Sequence, residues 1–329
     1  MIGGFFISVV FGFVPMLFLA SIIYWLDRYE KEPASLLGGV FGWGAVVAVI
    51  GALILQIALG QSVLLLTESQ VIEEMVGASL FAPVTEEILK GLAVALVFAF
   101  ARHEFDSILD GIVYAAVTAL GFAATEDVLY YFSAYAEGGM SAMLPVVFLR
   151  LVIFGWQHAF FTAFTGIGLA AARMSHHPAV RIGAPLLGLS MAIFTHSLHN
   201  SLLLFLGGMM GLATAALLFW TGWLAMFAFI VYLIYREKIW LAQYLREEVA
   251  LQTITQAQYQ AACSFFGQTK ARFSSLSGGR YRASVRFFQL CAELAHKKRQ
   301  YAHMGQEHGN HNLINSLRSE LLKISPDVL

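Results

Sequence analysis

Charge is what this sequence has least of. Only 12% of its 329 residues are Asp, Glu, Lys or Arg, about half of the roughly 25% found in soluble domains. The 20 basic and 21 acidic residues nearly cancel, leaving a net charge of −1. No basic excess is available to attract nucleic acid, so that class of partner is excluded. Cysteine is equally scarce: Cys263 and Cys291 are the only two, both near the C-terminal end. They form neither a disulfide framework nor a metal-ligand spacing and are read as reduced thiols. No Gly-x-Ser-x-Gly occurs, and no cysteine lies in an apolar run, so the familiar serine and cysteine nucleophile arrangements are missing. The chain opens Met1-Ile2-Gly3-Gly4-Phe5, without the basic stretch of a cleaved leader.

Apolar residues fill the space that charge leaves. They make up 58% of the chain, in runs of about 18 residues or more, which is membrane-spanning length. The expected fold is all-α, a multi-pass transmembrane helical bundle of about seven spans, with a small helical C-terminal region. The spans are read at 3–26, 36–59, 77–100, 109–134, 144–172, 182–206 and 209–235, with an amphipathic surface segment over 61–74. Arg28 and Lys31 follow the first span, Arg102 the third, Arg173 and Arg181 flank the turn after the fifth, and Arg236, Lys238 and Arg246 follow the seventh. The other loops hold no Lys or Arg. That alternation predicts an N-terminus outside and a C-terminus inside. Residues 1–235 are then a membrane-embedded domain and 236–329 a cytoplasmic tail. In the tail, apolar residues recur at helical spacing over 281–294 and 313–324, separated by a break at Ser275-Leu276-Ser277-Gly278-Gly279. Its histidines (His296, His303, His308, His311) match no ligand spacing and are read as surface residues.

The few polar groups inside the spans carry the functional signal, because an intramembrane charge costs about 2.5–3.5 kcal/mol at a helix centre on insertion scales. The third span contains Pro83-Val84-Thr85-Glu86-Glu87-Ile88-Leu89-Lys90. Lys90 is four residues after Glu86 and three after Glu87, so it reaches either acid on one helix face. The two acids are about 100° apart around the helix and cannot do the same job. Glu126-Asp127 lie in the fourth span, Arg150 and His158 in the fifth, and His196-Ser197-Leu198-His199-Asn200 in the sixth. At 1.5 Å per residue, Glu86, Glu126, His196 and His158 fall about 13, 12, 15 and 20 Å below the outer ends of their helices. Four helices thus offer acids and histidines at similar depth. Buried Glu beside His suits water activation. A His₂Glu set also matches a catalytic zinc shell, and Asn200 can donate to a developing oxyanion. The structural alternative is that single Glu–Lys or Glu–Arg pairs merely lock helices together. A proton- or ion-coupled transporter would also place such groups mid-membrane, but no duplicated halves of the inverted-repeat kind are visible.

These residues resemble the PrsW family of intramembrane proteases, related to the CAAX-processing and bacteriocin-processing membrane proteases. The resemblance rests on Asp27-Arg28-Tyr29-Glu30-Lys31-Glu32-Pro33, Glu86-Glu87-Ile88-Leu89-Lys90, Phe122-Ala123-Ala124-Thr125-Glu126, His158 and His196-Ser197-Leu198-His199-Asn200, in that order. It implies hydrolysis of a peptide bond within or near a bacterial cytoplasmic membrane. The substrate it implies is a membrane protein, such as an anti-sigma factor or another membrane-bound regulator. Glu86, Glu87, Glu126, His158, His196 and Asn200 become the expected catalytic set. Glu126, His158 and His196 are the expected ligands if zinc is used; the other course is a metal-free glutamate mechanism. A catalytically inactive relative that only binds membrane proteins is the further alternative. The family usually has Asn after the acid of its second motif, where this chain has Asp127. The tail lies outside the resemblance.

Overall fold

The structure is a computed structural model describing residues 1–27, 29–306 and 309–328; Arg28 and His308 lie outside the described residues. Thirteen α-helices are present among the described residues, and no strand is. They are α1 (Ile2–Leu26), α2 (Ala34–Gly42), α3 (Val49–Thr67), α4 (Gln70–Val76), α5 (Ala82–Phe100), α6 (Ile108–Val147), α7 (Gln157–Arg173), α8 (Pro178–Leu206), α9 (Gly208–Ala250), α10 (Gln256–Ala262), α11 (Phe265–Ser274), α12 (Tyr281–Met304) and α13 (Asn310–Ile324). This is the expected all-α architecture, a helical membrane bundle.

Among the described residues, five continuous stretches are long and apolar enough to cross a membrane: Ile2–Leu26, Ala34–Thr67, Ile108–Arg173, Pro178–Leu206 and Gly208–Ala250. The 66-residue stretch is long enough to cross twice. Its backbone leaves helical geometry at Gly138 (φ −148°) and Gly139 (φ 65°), the second being a conformation that glycine adopts without steric cost. It therefore contains both the fourth and fifth expected spans. Helix α5 stands outside the five because Glu86, Glu87 and Lys90 interrupt its apolar run. The second span is longer than expected. It continues through Val63–Leu66 to Thr67, so residues 61–67 extend that helix rather than form a surface piece. The separate segment is α4, which starts where the Ser69 hydroxyl accepts from the Ile72 amide at 3.4 Å.

The chain divides into two compact units: Met1–Trp25 with Glu32–Phe229, and Leu26–Lys31 with Ile230–Leu329. In the first, helices approach through glycine, as membrane helices do where a side chain would hold them apart. A Cβ added to Gly166 of α7 would fall 1.9 Å from the Gly111 carbonyl of α6, and one added to Gly111 would fall 2.3 Å from the Gly166 carbonyl. Among the described residues, three π-helical segments interrupt the bundle: Trp43–Ala48, Gly77–Phe81 and Phe148–Ile153. Such segments frequently accompany functional sites, because the extra residue re-aims the turns beyond it. Here Ala45 accepts from Thr125 at 2.7 Å, Ala78 accepts from Asn200 at 2.9 Å, and Arg150 belongs to the third segment. Glu32 accepts from the Tyr114 hydroxyl of α6.

The second unit has its own core, formed by Leu241 and Leu245 of α9, Phe287, Phe288 and Cys291 of α12, and Leu317 and Leu321 of α13. Buried Glu248 accepts from Arg318 at 2.7 and 2.8 Å and from Lys298 at 2.9 Å. Tyr29 belongs to this core, and the Lys31 main chain pairs with Gln289 in both directions. One expectation is corrected here. His296 is not a surface residue: it is buried, with Nδ1 2.9 Å from Glu30 and Nε2 3.1 Å from Glu237. The amphipathic α12 turns that position inward. His303 and His311 are exposed as expected.

Candidate active site

The site begins at the start of α5. The π-helical turn Gly77–Phe81 leads into the helix, and Pro83 occupies its first turn, where a missing amide hydrogen costs nothing. Glu86, Glu87 and Lys90 follow on the buried side of the helix. Lys90 is fully buried and lies 2.6 Å from Glu87 and 3.8 Å from Glu86. It also lies 3.3 Å from His158 Nδ1 and over the Phe122 ring. An ammonium group has only hydrogens to give, so His158 Nδ1 accepts from it. The Nε2 hydrogen of His158 then points to Glu126, 3.0 Å away.

Glu87 has no open oxygen. Its Oε1 accepts from Lys90 and, at 2.9 Å, from His196 Nδ1, and its Oε2 accepts from Thr162 at 2.8 Å. Glu86 is the opposite case. Its Oε1 is 3.3 Å from the Gln56 amide, but its Oε2 is buried without a hydrogen-bond partner. His196 Nε2 faces that oxygen at 3.9 Å. Because His196 gives its Nδ1 hydrogen to Glu87, a neutral ring keeps its lone pair on Nε2. Phe161 stacks on the same ring with centroids 4.8 Å apart, fixing its plane.

Glu126 and Asp127 of α6 are both held by Arg150, each at 2.5 Å. Tyr130, one turn beyond Glu126, lies under the guanidinium at 4.0 Å. The Glu126–Asp127 pairing with Arg150 that the sequence offered as helix packing is therefore formed, and it fixes Glu126 against His158. Asn200 lines the same cavity. One of its amide hydrogens goes to the Ala78 carbonyl, leaving its second hydrogen for another acceptor. His199 packs among Phe154, Phe161 and Phe219, and its Nδ1 has no hydrogen-bond partner.

All of this surrounds one cavity of about 660 Å³, whose lining includes Gln56, Glu86, Glu126, His158, His196 and Asn200. Of the six expected site residues, five line it. Glu87 sits behind His196. Among the described residues, Glu86, His158 and His196 offer ligand atoms within 4.8 Å of one another. The expected ligand set had Glu126 in place of Glu86. In the structure Arg150 holds Glu126, whereas Glu86 has the unsatisfied oxygen. This donor set fits a divalent ion: two imidazoles and a carboxylate match a catalytic zinc shell. The Glu87–His196 hydrogen bond is the carboxylate support that metal-bound histidines usually have. His158 would join the set through Nε2 as the other neutral tautomer, with its hydrogen on Nδ1 and the Lys90 ammonium left to Glu87. Sequence reasoning missed Gln56 and Thr162. Gln56 is an isolated polar residue in an apolar span, and Thr162 lies four residues after His158; neither has a spacing relation to the acidic motif.

Comparison with known proteins bears on the same residues. A family model described as PrsW family intramembrane metalloprotease matches residues 32–235, more than half the chain and all of the site. The chain belongs to the PrsW family. Protease PrsW of Geobacillus kaustophilus (strain HTA426) is 32% identical over 165 residues, covering 50% of this chain and 66% of the relative. Protease PrsW of Bacillus subtilis (strain 168) is 30% identical over 170 residues, covering 50% and 68%. That of Oceanobacillus iheyensis is 31% identical over 162 residues, covering 49% and 67%. The matches thus span about half of this chain and two thirds of each relative. No solved structure matches significantly. PrsW membership bears out the expectation of an intramembrane peptidase in a bacterial membrane. The family match starts at residue 32, within the first of the motifs read from the sequence, and runs past Asn200 to residue 235; the tail beyond lies outside it.

Proposed function

We propose that this chain hydrolyses a peptide bond of a membrane protein inside the cytoplasmic membrane of a bacterium. In this reading residues 1–235 are the protease domain, oriented N-out and C-in, and 236–329 are a cytoplasmic helical tail. Glu86, His158 and His196 hold a divalent ion such as zinc. An ion held there would supply Lewis-acid polarisation of a carbonyl and a lowered pKa for a water molecule. Glu87 orients His196 and compensates Lys90, and takes no proton itself. Glu126, fixed by Arg150 on the cavity wall, is placed to accept the proton of the attacking water. Asn200 offers its second amide hydrogen to the developing oxyanion. The apolar remainder of the cavity, with Leu53, Leu129, Leu149 and Leu203 among its lining, suits a hydrophobic segment of a membrane protein, a membrane-bound regulator such as an anti-sigma factor being one example.

The observation that carries this reading is Glu86: a buried carboxylate oxygen without a hydrogen-bond partner, beside the Nε2 of His196 and at the wall of the cavity. Leaving such an oxygen unpaired costs about 1–3 kcal/mol or more, which a purely structural Glu has no reason to bear. The test is cleavage of a panel of transmembrane peptides by the full chain in liposomes. Wild type is expected to cut at least one peptide. Glu86→Gln and His196→Ala are expected to lower the rate at least about 100-fold while the protein stays monodisperse. Full activity in Glu86→Gln would overturn the assignment.

A further inference from the structure

Far from the acidic motif, the first unit holds a second cavity, about 360 Å³, lined by Phe98, Ala99, Arg102, Ala172 and Arg181. These residues come from the end of α5, the turn after it, the end of α7 and the first turns of α8. All four places are span ends on one side of the bundle, since α7 and α8 are joined by the short turn 174–177. Glu86 and the last residue of α5 are fourteen positions apart, or roughly 21 Å along the helix. The two cavities are therefore at opposite levels of the membrane.

This second cavity has the chemistry of an anion receptor. No acidic residue lines it. Arg102 is partly buried, stacks over the Phe98 ring at 5.6 Å, and its Nε lies buried without a hydrogen-bond partner. Its backbone carbonyl accepts from Arg173 at 3.4 Å, which ties the turn to α7. Arg181 is exposed at the rim, and neither Arg102 nor Arg181 is paired with a carboxylate among the described residues. A guanidinium presents a planar fork of donors suited to phosphate oxygens. Phe98, Ala99 and Ala172 give the same pocket an apolar floor, as a headgroup attached to acyl chains needs. Basic pockets between membrane helices at the interface are sites of this kind.

We propose that the pocket between Arg102 and Arg181 binds the phosphodiester headgroup of an anionic phospholipid. The lipid is an annular ligand at the end of α5, remote from the chemistry, and its binding is independent of the protease reading.

The experiment is native mass spectrometry of the full chain, delipidated in detergent and titrated with phosphatidylglycerol or phosphatidylcholine. Wild type is expected to retain phosphatidylglycerol at concentrations where phosphatidylcholine is lost. Removing either charge, by Arg102→Gln or Arg181→Gln, is expected to weaken the adduct about fivefold, from roughly 1 kcal/mol per basic residue at a membrane surface. The double variant is expected to lose the preference. Arg181 is at the surface, so Arg181→Glu tests the proposal without disturbing packing even if Arg102 variants do not fold. An unchanged preference in Arg181→Glu, or in a folded double variant, overturns the proposal. So does inorganic phosphate binding as tightly as the lipid and displacing it, which would make free phosphate the ligand.

Discussion

Glu86 and Glu87 share a helix turn and both face Lys90 and His196, but only Glu87 is hydrogen-bonded to them. Both oxygens of Glu87 are taken by Lys90, His196 and Thr162, and removing that carboxylate strands a fully buried ammonium. Breaking such a pair costs about 3–5 kcal/mol. Glu87→Ala is therefore expected to lower the thermal midpoint in detergent sharply or abolish folding. Glu86→Gln keeps an oxygen facing Gln56 and loses no hydrogen bond at Oε2, so its stability is expected to stay within about 1 kcal/mol of wild type. The reverse order of stabilities would contradict the division of roles. The adjacency of the two acids was legible as two different jobs, from the 100° between them. Which acid does which was not, because the answer lies in Thr162 and His196 on two other helices. The proposal of Glu86 in place of the expected Glu126 as a ligand has the same origin. Arg150, twenty-four residues from Glu126, pairs with the same carboxylate oxygen that faces His158.

At the level of elements, the helices are set by apolar length, and their closeness is set by glycine. Gly166→Val would drive a side chain into the Gly111 carbonyl, and since the obstacle is backbone, no rotamer change relieves it. The expected loss is at least the roughly 1–3 kcal/mol of an overpacked core. Gly38→Ala meets nothing within 4 Å in helix α2 and is expected to be neutral or stabilising by about 0.4–1 kcal/mol. Comparing the two thermal midpoints checks the crossing of α6 and α7; equal midpoints would refute it. The spans were readable because each is a long apolar run ended by charge, proline or glycine. The π-helical segments were not readable. Trp43–Ala48 is ordinary apolar sequence and Phe148–Ile153 is apolar apart from Arg150, with no residue in either that marks a π-helical turn.

At the scale of the whole molecule, the chain combines a membrane bundle matching the PrsW family with a helical unit outside that match. The helical spacing over 281–294 and 313–324 made the second unit legible, while the burial of His296 depended on the acids of Glu30 and Glu237, far away in sequence. Its thiols give a direct check. Burial pushes Cys263 up to about 11 and raises Cys291 as well. The thiolate is the reactive form, so at pH 8 only about one Cys263 in a thousand is reactive. Maleimide labelling of native protein is expected to be slow, to accelerate as pH rises toward 11, and to become complete on denaturation. Rapid native labelling of Cys291 would contradict the core of this unit. The central claim, that Glu86, His158 and His196 form the metal centre of an intramembrane protease, is tested most directly by metal content. Elemental mass spectrometry of purified wild type should find about one zinc per chain, lost in folded Glu86→Gln and His196→Ala and retained in Glu126→Gln. Zinc retained in Glu86→Gln but lost in Glu126→Gln, or a metal-free wild type that still cleaves peptides, would contradict it.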